Sequence, residues 1–229
     1  MTAQGGVARR RRDREGTRRL VLDAVVATVL DVGYYKASSN AIARRAGVSW
    51  GSIDHLFGSS EQLMLDVVND LGAQLEQRIA EAEIGGATLE ERMSSLFDVL
   101  ATHYEQGKYL VQMQILLDLS ANPKMSAHGR KEIRRNDDEE FDRVARPLLA
   151  EALGELAAER DLVVYAYMTM RGYLTSAAFA RLIAGMPNNA VVRIIGDGQT
   201  DETVVRGLVV QGIVSTLREV GRQRGYRVG

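Results

Sequence analysis

The chain has 229 residues, 45% of them hydrophobic and 26% charged, a globular balance in which three prolines leave room for long helices. It contains no cysteine, which excludes a disulfide framework, a thiolate metal site and a thiol nucleophile. No run of 18 apolar residues exists, and the hydrophobic stretch after the arginine-rich start is interrupted by Asp23 and Asp31, so neither a membrane segment nor a secretory signal is expected and the cytoplasm is the expected compartment. The net charge of -1 conceals two unlike parts: residues 1–60 carry ten Lys/Arg against five Asp/Glu, and residues 61–229 carry nineteen against twenty-five. A basic head on an acidic body points to a polyanion at the head.

Residues 1–16 hold Arg9, Arg10, Arg11, Arg12 and Arg14 without hydrophobic periodicity and read as a flexible basic arm. From Thr17 to Val32 the positions Leu22, Val25, Val26, Val29 and Leu30 repeat at helical spacing, and Gly33 supplies the stop. The Ser38–Ser39 pair caps a second helix with Ile42, Ala43 and Ala46 inward, ending at Gly47. Small Ala43, turn-forming Gly47, corner-filling Val48 and apolar Ile53 give the steric pattern of a helix-turn-helix over about 38–57. Ser49 is then the N-cap of a recognition helix that turns Trp50, Ser52, Asp54 and His55 outward. Ser59 with Gln62 fits a capping box for a fourth helix, whose Leu63, Leu65, Val67, Val68 and Leu71 are expected to belong to the body.

The stretch from Gly33 to Leu63 resembles the signature of the TetR family of transcriptional regulators. Gly33-Tyr34, Ser38, Ile42-Ala43, Ala46-Gly47-Val48-Ser49, Gly51, His55, Phe57, Ser59, Glu61 and Leu63 fall in register with it. Three positions depart: Asp54 stands where tyrosine is usual, Ser60 where lysine is usual, and Trp50 where a basic or small polar residue is common. Losing a phosphate-binding tyrosine and lysine shifts affinity toward the arm and other cations. The candidate DNA contacts are therefore the five arm arginines with Lys36, Ser38, Ser39, Arg44, Arg45, Ser49, Trp50, Gly51, Ser52, Asp54 and His55. Trp50 either meets a thymine methyl or packs on a neighbouring helix, and the sequence leaves both open.

The body, residues 61–229, shows helical periodicity and no persistent strand alternation, so the expected fold is all-α: a three-helix DNA-binding head over 17–60 and a larger helical body. Thr88 and Glu91 form a second capping box ahead of a stripe of Leu89, Met93, Leu96, Phe97, Leu100 and Tyr104. Tyr109 to Leu119 is apolar nearly all round and carries Gln112, Gln114 and Asp118, which need partners if buried. After Asn122-Pro123 one long helix kinked at Pro147 is expected. A helix rich in tyrosine and methionine follows, then a long connection over 185–200 with a short extended piece at 191–195, and a last helix capped by Asp201.

The resemblance implies an apolar ligand cavity in the body and a homodimer through the last two helices. The candidate lining is Met93, Phe97, Tyr104, Met113, Met125, Tyr165 and Met168, with Gln112, Gln114 and Arg171 as polar contacts. No phosphate loop, nucleophile elbow or metal motif is present and the three histidines are dispersed, so no enzyme, metal or cofactor is expected. The expected function is a repressor released from a palindromic operator by a small, largely apolar effector. The alternative is a DNA-binding architectural protein or regulator without an effector.

Overall fold

The computed structural model describes the backbone of residues 3–105, 107–140, 143, 145–183 and 201–227, and side chains from Asp13 onward except 106, 136–142, 144 and 182–200. The described elements are helices without a strand among them: α1 (Ala3–Val32), α2 (Ser39–Ala46), α3 (Trp50–Phe57), α4 (Ser60–Ala80), α5 (Leu89–Glu105), α6 (Lys108–Ala121), α7 (Ala127–Glu140), α8 (Arg146–Leu153), α9 (Arg160–Ile183) and α10 (Glu202–Gln223). The all-α expectation is met. Packing divides the chain into two compact units, one of Met1–Gln74 with Val111–Asp137 and one of Leu75–Leu110 with Asp138–Gly229.

In the first unit α1 lays Val21, Leu22, Val25, Val26 and Val29 against Ile42 and Ala43 of α2, and Ile53 and Phe57 of α3 join the same core. Burying side chains of this size contributes roughly 1.5–3 kcal/mol each before chain entropy is charged against it. The boundary expected at residue 60 is not where packing divides. Leu63, Leu65, Val67, Val68 and Leu71 of α4 lie in the core of this unit, as do Val111, Ile115, Leu119 and Met125. Three short helices enclose too little apolar surface by themselves, and the first half of α4 with most of α6 completes the cover.

The remaining differences concern helix ends. Residues 3–16, expected as an irregular arm, continue α1 as helix, since a formed helix extends cheaply through Ala, Arg and Glu. The side chains of Arg9 to Arg12 lie outside the described residues, as does the connection expected over 185–200 with its piece at 191–195. The single long helix expected after Pro123 is two, α7 and α8, with Pro147 in the first turn of α8. Proline has no N–H to donate and clashes with a preceding turn, so it starts this helix and does not kink a longer one.

In the second unit the capping box at α5 is complete: the Glu91 N–H donates to Thr88 Oγ1 (3.2 Å) and the Thr88 N–H to Glu91 Oε2 (3.0 Å). At α4 it is half formed, with the Gln62 N–H donating to Ser59 Oγ (3.0 Å) while the Gln62 side chain turns to Asp66 (3.0 Å). Asp201 caps α10 by accepting from the Thr203 N–H (2.8 Å). Met93, Leu96, Phe97, Leu149, Met170 and Ile213 are fully buried, drawn from α5, α8, α9 and α10. The end of α10 is fastened to the start of α9 by Arg224 donating to Asp161 (2.6 Å) and Glu159 (2.6 Å), which holds the Asp161 carboxyl down at about 2.

Candidate functional site

The helix-turn-helix is built by its caps. Ser38 Oγ accepts from the Ala41 N–H (3.3 Å) at the start of α2, and Gly47 ends it at φ 69°, a left-handed conformation that a side chain would strain. The Val48 N–H donates back to the Ala43 carbonyl (3.1 Å), fixing the corner. Ser49 Oγ accepts from the Ser52 N–H (3.1 Å) and opens α3, and Gly58 closes it at φ 78°. With Ile53 and Phe57 buried, the geometry forces Gly51, Ser52, Asp54 and His55 outward, and all four are exposed.

Trp50 is half-buried and packs against the core of this unit, the second of the two readings left open by the sequence. Its position in the first turn of α3 places the indole toward α1 and α2 as much as toward solvent. Ser38, Ser39, Arg44 and Ser49 are exposed, as are Arg14 and Lys36. Arg45 is exposed but ion-pairs with Asp31 of α1. Arg18 and Arg19 are drawn onto α4 by Asp66 (2.7 Å) and Asp70 (2.6 Å), Arg18 also lying over the Phe57 ring at 4.9 Å. They fix α1 to α4.

The sequence reading missed Tyr35, which is 93% exposed beside Lys36 at the entry to α2. Its signal was an aromatic residue outside every helical stripe. Its neighbour Tyr34 is held instead: its hydroxyl donates to Asp118 of α6 (2.8 Å) and its N–H meets Gln114 Oε1 (3.4 Å). Burial and the Asp118 charge push the Tyr34 hydroxyl up, so it remains a donor. These contacts supply the partners that Gln114 and Asp118 require.

The second unit contains a small cavity of about 30 Å³ walled by Leu75, Leu100, His103, Tyr104, Tyr109, Ala145, Tyr167 and Arg171. Of the residues expected to line a ligand site, Tyr104 and Arg171 are there. Met93 and Phe97 are fully buried in the core of this unit. Tyr165 is turned to α10, its hydroxyl donating to Thr216 (3.1 Å). Gln112, Met113, Gln114 and Met125 belong to the first unit. Met168 is 60% exposed and lines no cavity, because its position on α9 falls on the outward stripe. The missed wall residues His103, Tyr109 and Tyr167 lie on three different helices, and no local spacing reveals that they converge. His103 is buried, and burial with the nearby Arg78 and Lys108 charges lowers its imidazole to about 4. A broad groove on α5 carries Glu90, Glu91 and Asp98, groups already used by the capping box and by pairs with Arg218 and Arg206.

Among the described residues, no three His, Asp or Glu side chains are arranged to hold a metal ion, and no helix is long and apolar enough to cross a membrane.

Residues 21–67 match the sequence profile of the bacterial regulatory proteins of the tetR family. Over 82 residues the chain is 35% identical to the HTH-type transcriptional regulator BetI of Rhizobium meliloti (strain 1021), a match covering 36% of this chain and 40% of BetI. The chain thus spans about two fifths of the length of the curated relatives it matches. Two solved structures extend the likeness of fold across both units at 17% identity. One is a transcriptional regulator from Rhodococcus sp. Rha1, with TM-score 0.59 over 87% of this chain and 96% of that one. The other is FadR from Bacillus subtilis in complex with stearoyl-CoA, with TM-score 0.56 over 86% and 97%. By its helix-turn-helix, its matched residues and its fold, the chain belongs to the TetR family of transcriptional regulators.

Proposed function

We propose that the protein is a homodimeric repressor that holds a palindromic operator through α3 and releases it when a small molecule enters the body. The observation that carries this reading is the capped helix-turn-helix over 38–57, which presents Ser52, Asp54 and His55 on one exposed face inside the matched segment. Ser52 and Asp54 read base edges in the major groove, Asp54 accepting from a cytosine amine. Lys36, Arg44 and the arm arginines neutralise phosphates, with Ser38, Ser39, Ser49 and His55 as neutral phosphate contacts. Trp50 supports α3 from beneath more than it touches bases.

A palindrome needs two heads related by a two-fold axis. Val164, Met168, Gly172, Ser176 and Phe179 form an exposed stripe on α9, and Val204, Gly207, Leu208, Gln211, Gly212 and Ser215 form one on α10. Neither stripe carries a charge, and the two suit a four-helix contact between copies. FadR, similar in fold, was solved with stearoyl-CoA, and the body here also contains a cavity, which supports an effector acting from the cytoplasm. An effector releases DNA only if it binds the DNA-free state more tightly, and by the same factor DNA must weaken the effector.

Selection from a random duplex pool tests this reading. Enrichment of a two-fold symmetric site is expected, and failure to enrich any sequence at low salt refutes it. With that site in hand, deleting residues 1–14 should weaken binding and flatten its salt dependence. An unchanged slope removes the arm from the mechanism.

A further inference from the structure

Arg78 carries an imbalance that the fold itself does not resolve. It stands one turn beyond Leu75 on α4, and its charge is felt at His103, so it borders the cavity of the second unit. Its Nη1 is buried and has no hydrogen-bond partner, the one such side-chain atom among the described residues. A buried guanidinium donor left unmade is costly, and native folds seldom leave one without a water, an ion or a ligand to meet it.

The surroundings point to the sign of that missing group. Arg171 is a wall residue, Lys108 lies near His103, and none of the described wall residues is a carboxylate. Buried His103 is uncharged at neutral pH. The rest of the wall is aromatic, with the His103, Tyr104 and Tyr109 rings packed against one another at centroid distances of 4.2 to 5.8 Å. A free volume of about 30 Å³ holds about one water, so an occupant larger than that enters by parting these walls.

We infer that this cavity takes an organic anion, a carboxylate on a small aromatic or aliphatic body, with the Arg78 guanidinium as its counter-charge. The carboxylate oxygens supply the planar acceptors that a guanidinium fork lacks here, and the tyrosine rings cover the apolar body. This rests on the reading of the body as an effector site and gives that effector a chemical class.

The test uses the full chain and three probes at constant ionic strength: sodium benzoate, its neutral isostere benzamide, and sodium chloride. Benzoate should raise the melting temperature and give a saturable calorimetric titration, while benzamide and chloride should not. Arg78→Met, which keeps the apolar stem, should weaken benzoate by about tenfold to a hundredfold, the range a charge-assisted hydrogen bond accounts for, and Arg78→Lys should restore part of it. Because Arg78→Met removes a buried unpaired charge, its melting temperature without ligand should not fall, which separates lost binding from lost folding. Equal binding of benzamide, equal protection by chloride, or full benzoate affinity in Arg78→Met overturns the inference. Those results leave operator binding untouched, whereas failure of the duplex selection refutes the regulator reading and leaves the benzoate titration standing.

Discussion

Leu208→Arg isolates the proposed dimer interface. Leu208 is 61% exposed in the single chain, and full burial of a leucine is worth roughly 1.5–3 kcal/mol, so closing it against a second copy recovers about 1–2 kcal/mol. In a two-fold interface each residue counts twice, giving about 2–4 kcal/mol from this position alone. Arginine forfeits that gain and adds two desolvated charges at several kcal/mol each, or allows the interface to open around them. The sum exceeds about 5 kcal/mol, a more than thousandfold weakening of dimerisation. Sedimentation velocity over a micromolar concentration series should show monomer, with helical circular dichroism retained because Leu208 is not part of the core. Leu117→Arg is the comparator, since Leu117 of α6 is 70% exposed and lies outside the proposed interface. If Leu208→Arg sediments as a dimer beside its parent, the α9 and α10 stripes are not the interface.

Gly86 sits at φ 133°, and a Cβ there would lie 2.5 Å from Glu91 Cβ and 2.7 Å from the Arg92 nitrogen, so Gly86→Ala should cost about 2–4 kcal/mol in urea unfolding; an unchanged midpoint would show that the turn before α5 yields freely. His103 is lowered from 6.5 to about 4, chiefly by burial. Between those values the unfolded chain binds a proton that the folded chain refuses, so stability present above pH 6.5 falls by up to about 3 kcal/mol as pH drops to 4, and His103→Gln should flatten that slope. Trp50→Ala should lower the melting temperature by removing a half-buried side chain from the core of the first unit, at roughly 1–3 kcal/mol; lost sequence preference with unaltered stability would instead make Trp50 a base-reading residue.

The helix-turn-helix was legible in the sequence because its determinants are local. Ser38 and Ser49 cap from fixed offsets, Gly47 and Gly58 take left-handed turns that few other residues tolerate, and Ile53 and Phe57 share one helix face. The boundary between the units was not legible, since it depends on Val111, Ile115, Leu119 and Met125 arriving from far along the chain to cover a core that three short helices leave open. The side taken by Trp50 was decided in the same way, because a tryptophan in the first turn of α3 satisfies both a base-reading pattern and a packing pattern until α1 and α2 stand beside it. The cavity lay furthest from the sequence. His103 and Tyr104 come from α5, Tyr109 from α6, Tyr167 and Arg171 from α9, and methionines at good helical spacing such as Met93 went to the core. Helical periodicity determines which face of a helix is apolar, and only tertiary packing decides whether that face meets another helix, a cavity or a second copy of the chain.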